Sequence, residues 1–448
     1  MFNFKQSAFQ ENKIAFNWLK LSVLAIAISG IFSIFLVFLR TPILVNIFSK
    51  NIFKLSLIVH VNLSITVWML TILCLINSIT FTGIKQKLSS WPLLVATLGT
   101  ILISISIFFG GEPSLNNYIP ILENIVFIIG ISLFLSGVLV SCLLSVLEFF
   151  CTKSRNAYNQ NLSIVSFSTS IIYITAIMCF YLTTSQLNNR ILNYENSHYY
   201  ELVFWAFGHI VQYVFIQLLI FSWFILAQAH LGSQIISQMS WNKIFYINPI
   251  ICIVCPLFFI FASVESGAYI EFFTMHMKYF GGISASISAT IILYHLYKIK
   301  SKKLDYKIYC FIFSLLIFAI GGLIGYLISG TNVTVPAHYH GSIVGITIAL
   351  MGLIYYIIAQ LGYKLLPNKI LTIQLFLYCL GQAIHIIGLA LSGGYGAMRK
   401  VAGVELSATA KFYMGLMGLG GIIAIISGII FIVSCYLAIK NGRKNESE

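Results

Sequence analysis

A chain of 448 residues with 59% apolar side chains and 8% charged ones cannot fold as a water-soluble globule, because most of the hydrocarbon would face water. Its net charge of +14 would suit a nucleic-acid partner in a soluble protein, but the basic residues here are sorted by side of a bilayer and no nucleic acid is expected. What remains is an all-α, polytopic membrane protein, read as one membrane domain over 1–448 because no soluble domain, linker or low-complexity tract interrupts it.

Apolar runs of roughly 20 residues are needed to cross about 30 Å of hydrocarbon. In chain order they predict twelve transmembrane helices, at 16–39, 52–81, 91–110, 121–147, 163–184, 200–228, 246–268, 276–298, 308–329, 337–360, 370–392 and 411–439. The first run is too long for the h-region of a signal peptide and lacks a small-residue cleavage site, so it stays as helix one. With both termini in the cytoplasm, 18 of the 26 basic residues fall inside: Lys5, Lys13, Lys20, Lys85, Lys87, Lys153, Arg155, Lys243, Lys298, Lys300, Lys302, Lys303, Lys307, Lys364, Lys369, Lys440, Arg443 and Lys444. The 8 outside are Arg40, Lys50, Lys54, Arg190, Lys278, Arg399, Lys400 and Lys411. The lipid bilayer is therefore a partner, and the expected site is a bacterial inner membrane or a mitochondrial-type inner membrane.

Ionisable groups inside hydrocarbon are costly and mark cofactors or proton paths. Of nine histidines, six fall in one outer layer: His60 in helix two, His209 in helix six, His276 at the junction of helices seven and eight, His338 and His340 at the start of helix ten, and His385 near the outer end of helix eleven. His198, His230 and His295 belong to a loop and to interfacial helix ends. Most of the nine cysteines sit in apolar runs as small hydrophobes, and Cys252 and Cys255 form a mid-helix C-x-x-C with no second pair.

The run Val335-Pro336-Ala337-His338-Tyr339-His340 carries the sharpest signal. Two residues turn an α-helix by about 200°, so these imidazoles leave on opposite faces and cannot share a metal comfortably. They suit two haems flanking one helix, with His60 across from one of them. A bis-histidine iron has no open position and transfers electrons, whereas an iron with one histidine keeps a face for chemistry. On helix six, His209, Tyr213 and Gln217 follow one another at i, i+4 and share a face.

These residues resemble the haem–copper oxidase superfamily, along essentially the whole chain. The match runs through His60, through Trp205-Ala206-Phe207-Gly208-His209 to Tyr213, through Ala337-His338-Tyr339-His340, and through His385, Gly388-Leu389 and Arg399-Lys400. The resemblance implies a catalytic subunit I with twelve helices, two haems and a copper ion. His60 and His340 would hold the low-spin haem and His338 the high-spin haem. His209 and His276 would be copper ligands, with Tyr213 as the catalytic phenol beside them. Arg399 and Lys400, helped by Arg40, would bind the haem propionates.

Two departures follow. The family has paired histidines after helix seven where this chain has Thr274-Met275-His276-Met277. Met275 then stands for the missing imidazole, and as a soft thioether it favours Cu(I); the site either holds copper at an altered potential, holds it weakly, or does not hold it. Where many members have Pro-Glu after the helix-six histidine, this chain has Ile210-Val211, so protons need another route. Ser284 and Ser288, on one face of helix eight, could carry water toward Tyr213, and Glu265 is a candidate for proton exit; both hydroxyls equally serve as helix glue.

The resemblance implies a terminal oxidase that reduces O2 to water with proton uptake. No C-x-x-x-C copper entry site and no C-x-x-C-H haem attachment is present, so an accessory subunit would deliver electrons from cytochrome c or quinol. A nitric oxide reductase-like enzyme and a non-catalytic haem-binding relative are the alternatives. A twelve-helix transporter fits the helix count, without a clear inverted repeat.

Overall fold

In lipid a backbone must satisfy its own hydrogen bonds, which leaves the helix as the natural spanning element for this composition. The computed structural model describes residues 12–41, 50–152, 157–187, 196–299, 304–328, 332–400 and 406–442. Lys5, Lys153, Arg155, Arg190, Lys300, Lys302, Lys303, Arg443 and Lys444, used above for orientation, lie outside the described residues, as does the side chain of Lys50.

Among the described residues, twelve helices are long and apolar enough to cross a membrane: α1 Lys13–Arg40, α2 Ile52–Thr80, α3 Gly83–Phe109, α4 Ile125–Cys151, α5 Gln160–Leu187, α6 Ser197–Leu231, α7 Gln238–Phe261, α8 Gly267–Lys298, α9 Tyr306–Tyr326, α10 Thr334–Gln360, α11 Asn368–Gly394 and α12 Ala408–Lys440. The chain is an all-helical, multi-pass membrane protein, as the hydrophobic runs predict. Several starts carry a side-chain cap for an otherwise orphaned amide. Asn12 accepts from Ala15 N at 3.0 Å, Asn124 from Phe127 N at 2.8 Å and Asp305 from Lys307 N at 3.1 Å.

The end of the bundle where α1 begins and α12 ends is called proximal here, and the opposite end distal. A two-residue hairpin, β1 Pro113–Ser114 paired antiparallel with β2 Ile121–Leu122, lies in the distal connection between α3 and α4. Helices α6 and α10 form the centre: 94% and 83% of their most apolar stretches are buried, against 28% for α1 and 33% for α9 and α12. A functional group needing a dry, fixed environment belongs on those two.

Helix three begins at Gly83, not 91, and two further details that differ from the expected pattern bear on the site. Helix seven runs Gln238–Phe261, not 246–268, and helix eight begins at Gly267, not 276. A polar first turn, Gln238 to Lys243, was not part of the apolar run, yet Ser237 caps it by accepting from Ser240 N at 3.2 Å. The break comes earlier, at Ala262, whose φ of −144° and ψ of 151° are extended. His276 therefore sits inside α8, not at the α7–α8 junction. In α2, residues Asn62–Val67 form a π-helical segment immediately after His60, the kind of widened turn often found beside functional side chains.

Candidate functional site

At about 1.5 Å per residue, all six histidines of the predicted layer lie within about 20 Å of the distal helix ends. They divide into three groups. The first borders a cavity of about 490 Å³ among α1, α2, α6, α10, α11 and α12, lined by His60, His340 and His385 and carrying Arg40, Arg399 and Lys400. Nδ1 of His60 lies 3.1 Å from the Ser29 carbonyl and 2.9 Å from its hydroxyl. Nδ1 of His385 lies 2.9 Å from the Met417 carbonyl, and its ring centroid is 4.5 Å from that of His340. An Nδ1–H given to a carbonyl fixes the tautomer and leaves Nε2 with its lone pair, the usual preparation of a metal-binding imidazole.

Two of these three basic residues are held by the α3–α4 connection. Arg399 Nη1 donates to Asn117 Oδ1 at 2.7 Å and Lys400 Nζ to the Leu115 carbonyl at 2.5 Å. Arg40 Nη2 donates to the Met398 carbonyl at 3.3 Å. Glu201 accepts from the Asn117 amide at 3.0 Å and also from its side-chain nitrogen. Lys400 adopts a φ of 61°, left-handed for a residue with a Cβ, and such strain persists only where surrounding contacts impose it. Burial, joined by the charge of Arg399, pulls its ammonium down to about 8 while Glu201 pushes the other way. An apolar slot with prepared imidazoles and a cationic rim fits a flat macrocycle bearing two carboxylates, and so fits a haem.

His338 forms the second group. Its Nδ1 is 2.8 Å from the Gly321 carbonyl on α9, so His338 faces α9 while His340 faces α11. This approach depends on small residues. A Cβ on Gly321 would lie 2.2 Å from the Ser342 amide nitrogen and 2.4 Å from the Gly341 carbonyl carbon, and one on Gly325 would lie 2.7 Å from Nδ1 of His338.

The third group is the polar stripe of α6. Tyr118, from the tip of the β1–β2 hairpin, places its hydroxyl 2.9 Å from both ring nitrogens of His209, whose Nδ1 is also 2.8 Å from the Trp205 carbonyl. Only glycine is compatible with the Tyr118 ring at 208, since a Cβ there would lie 2.0 Å from Tyr118 Cγ. Tyr213 Oη is 3.1 Å from both Nδ1 and the carbonyl of His276. Nε2 of His276 is 3.3 Å from Cys255 Sγ and 3.2 Å from the Ile251 carbonyl. Met275, about 100° round α8 from His276, is 39% exposed and is not brought to this group.

His209 and His276 thus have separate partners, and among the described residues no group of three or more His, Cys, Asp or Glu side chains is placed to hold a metal. The residues present do not fit a three-ligand copper centre. Glu265 is exposed in the α7–α8 connection and Glu271 is exposed in the first turns of α8, so neither joins the cluster. Ser284 and Ser288 are fully buried. Ser284 donates to Asn248 Oδ1 at 2.8 Å, Asn248 Nδ2 to Gln217 Oε1 at 3.3 Å, and Gln217 Nε2 to Ser168 Oγ at 3.1 Å. This chain reaches α6 at Gln217, one turn from Tyr213.

Sequence reasoning missed Tyr118, Asn248 and Cys255 as partners. Nothing local marks Tyr118, whose role depends on a hairpin folding back over α6. A faint signal existed for Cys255, in the C-x-x-C whose second member meets His276. Missed too was Glu148, buried between Lys85 Nζ at 3.2 Å, Thr82 at 2.8 Å and Thr152 at 2.6 Å.

Among the described residues, ten spanning helices around two buried central ones, with the six histidines of the layer in the distal part, define a membrane protein that works within its bundle. The chain belongs to the family described as cytochrome c and quinol oxidase polypeptide I, whose profile matches residues 13–423. Among its relatives, an uncharacterized protein of Rickettsia prowazekii (strain Madrid E) is 34% identical, covering 95% of this chain and 95% of its own length. An uncharacterized protein of Aquifex aeolicus (strain VF5) is 29% identical over 77% of this chain and 85% of its own. The family resemblance read from the histidine motifs is thereby confirmed.

Proposed function

We propose that the chain is the haem-carrying core subunit of a respiratory oxidoreductase of terminal-oxidase type, in a bacterial or mitochondrial-type inner membrane. Electrons would come from an accessory subunit fed by cytochrome c or quinol, and O2 would be the acceptor. The observation that supports this most is the arrangement on α10: His338 and His340 leave its opposite flanks, and His338, like His60 and His385 opposite, has Nδ1 engaged by a carbonyl.

When bound, haem at the His60–His340 site supplies one-electron transfer, and haem on His338 supplies an iron with a face for O2. Ser29 and Gly321 orient the rings of His60 and His338 through their carbonyls. Arg40, Arg399 and Lys400 neutralise carboxylates at the distal rim. Tyr213 Oη keeps a transferable proton between α6 and α8, in contact with His276. Buried apolar side chains of α6 and α10 exclude water from the space between. No step is assigned to copper, since its ligand set is incomplete.

A second reading, a haem protein that carries electrons or senses redox state without reducing a gas, is favoured by that incomplete set and by the outward Met275. Haem and metal quantitation on the purified chain, with reduced-minus-oxidised and CO-difference spectra, separates the two. A low-spin signal with a CO-reactive haem and O2 turnover supports the oxidase. Haem without CO reactivity leaves the electron carrier, and absence of haem removes both.

A further inference from the structure

We propose that a gap between α1 and α12, at Gly30 and Gly428, is a lateral portal through which haem enters the His60–His340 cavity from the bilayer, an inference that rests on the haem reading above. The level of the two glycines follows from two contacts nearer the distal end. A Cβ on Gly418 would lie 2.1 Å from Thr41 Oγ1, and one on Gly421 would lie 2.7 Å from Val37 Cγ2. The helices run antiparallel, so each step along α12 away from these contacts matches one back along α1, and Gly428 falls opposite Gly30. There the packing stops. A Cβ on either residue would meet nothing within 4 Å, and both residues line the cavity.

Glycine inside a helix weakens it unless close approach of a neighbour repays the loss. Gly418 and Gly421 follow that rule, whereas Gly30 and Gly428 leave open space. Beside them, Ile31 and Ile429 are 57% and 52% exposed, and they are the exposed members of the described cavity lining. Gly30 lies about 15 Å along α1 from Arg40, well inside a hydrocarbon layer about 30 Å thick. The opening therefore gives onto lipid chains and not onto water.

Among the described residues the other walls are closed. Across the distal end, Arg399 and Lys400 bond to Asn117 and to the Leu115 carbonyl. On the proximal side Leu70, Met351 and Phe431 are buried, and the Phe431 ring packs against Trp68 and Tyr355 at centroid distances of 6.2 and 5.2 Å. A macrocycle dissolved in hydrocarbon reaches the imidazoles sideways without parting the distal hydrogen bonds. Its carboxylates then meet Arg40, on α1 itself, with Arg399 and Lys400 beyond. A lipid chain or a quinol entering by the same gap has no pair of carboxylates for this cationic rim and no metal for the imidazoles, so haem is the occupant that the lining matches.

The test uses the full chain, prepared without haem and held in nanodiscs, with haem uptake followed by absorbance. Gly30→Cys and Gly428→Cys, each capped with a benzyl methanethiosulfonate, carry a removable plug in the opening. Leu419→Cys with the same cap, at an exposed position of α12 outside the cavity lining, is the control. Either plug should slow the appearance of the low-spin spectrum about tenfold or more, equivalent to about 1.4 kcal/mol on the barrier. Removing the plug with a reductant should restore the rate in the same sample, which guards against a misfolded variant. The CO-reactive component should load at an unchanged rate. The portal is overturned if plugged and unplugged chains take up haem equally fast, if the Leu419→Cys control is slowed as much, or if the plug slows only the reduction of an already loaded chain by quinol. A chain that takes up no haem in any state removes the haem reading itself, an outcome distinct from uptake that ignores the plug.

Discussion

Gly321→Ala probes the seat of His338 more directly than removal of the histidine. The added methyl would lie 2.2 Å from the Ser342 amide nitrogen, so α9 and α10 must part by about 1.2 Å to reach ordinary contact at 3.4 Å. Such overpacking costs about 1–3 kcal/mol. The same movement stretches the 2.8 Å contact between Nδ1 of His338 and the Gly321 carbonyl beyond hydrogen-bonding range. Losing an orienting partner of this kind weakens metal binding by about 10- to 100-fold. His340 and His60, on the far flank of α10, are untouched. Spectra of the purified variant should therefore keep the low-spin component and lose the CO-reactive one, with a lowered midpoint of thermal unfolding. An unchanged CO-difference spectrum per chain would refute the reasoning, because it would mean that the glycine contact does not position His338.

Other outcomes follow from the same contacts. Lys400, drawn down to about 8 by burial and by Arg399, should regain its proton when a carboxylate binds at the rim. Haem retention should then fall about tenfold per pH unit above that value, and Lys400→Met should abolish the break; a flat wild-type profile through pH 8 contradicts this. Asp305 caps α9 and pairs with Lys307 Nζ at 2.5 Å and His230 Nδ1 at 3.0 Å. Burial pushes its carboxyl up, but the hydrogen bond and charge of Lys307, with His230 and the Ile308 amide, outweigh that and hold it below the usual carboxylate range. Because the folded value is depressed, the stabilisation is present above the unfolded value and is lost as pH falls through the folded one. Asp305→Ala should cost about 1 kcal/mol at neutral pH, read as a lower thermal midpoint, and Asp305→Asn should keep the cap while losing the acid dependence. Met275→Leu, on an exposed face, should change stability by no more than about 0.5 kcal/mol and leave metal content as it was.

The helices were legible because hydrocarbon imposes a single solution on long apolar runs, and the opposite headings of His338 and His340 follow from helical geometry alone. The α7–α8 boundary was not, since an amphipathic first turn at Gln238 lies at an interface where hydropathy is silent, and this shifted His276 by several turns relative to its helix. Spacing along α6 correctly grouped His209, Tyr213 and Gln217 on one stripe. It could not show that each finds a different partner, Tyr118, His276 and Asn248, because those come from a hairpin and two other helices. Met275 was placed beside His276 by adjacency in sequence, but neighbours on a helix are about 100° apart, and the inward direction belongs to the histidine.

The widened turn Asn62–Val67 divides α2 into two independently phased segments. Above it His60 is tied to Ser29 on α1, while below it Asn77 bonds with Ser166 on α5 and Ser141 on α4. Asn62 bridges the seam, donating to the Ile58 carbonyl at 2.9 Å and to Pro120 on the hairpin at 2.8 Å. Winding the same residues as a regular α-helix would swing everything on one side by about 100° relative to the other, whereas the wider turn absorbs the extra residue. The seam therefore acts as a phase adjuster: it lets one continuous rod present correctly aimed groups to two unrelated neighbourhoods.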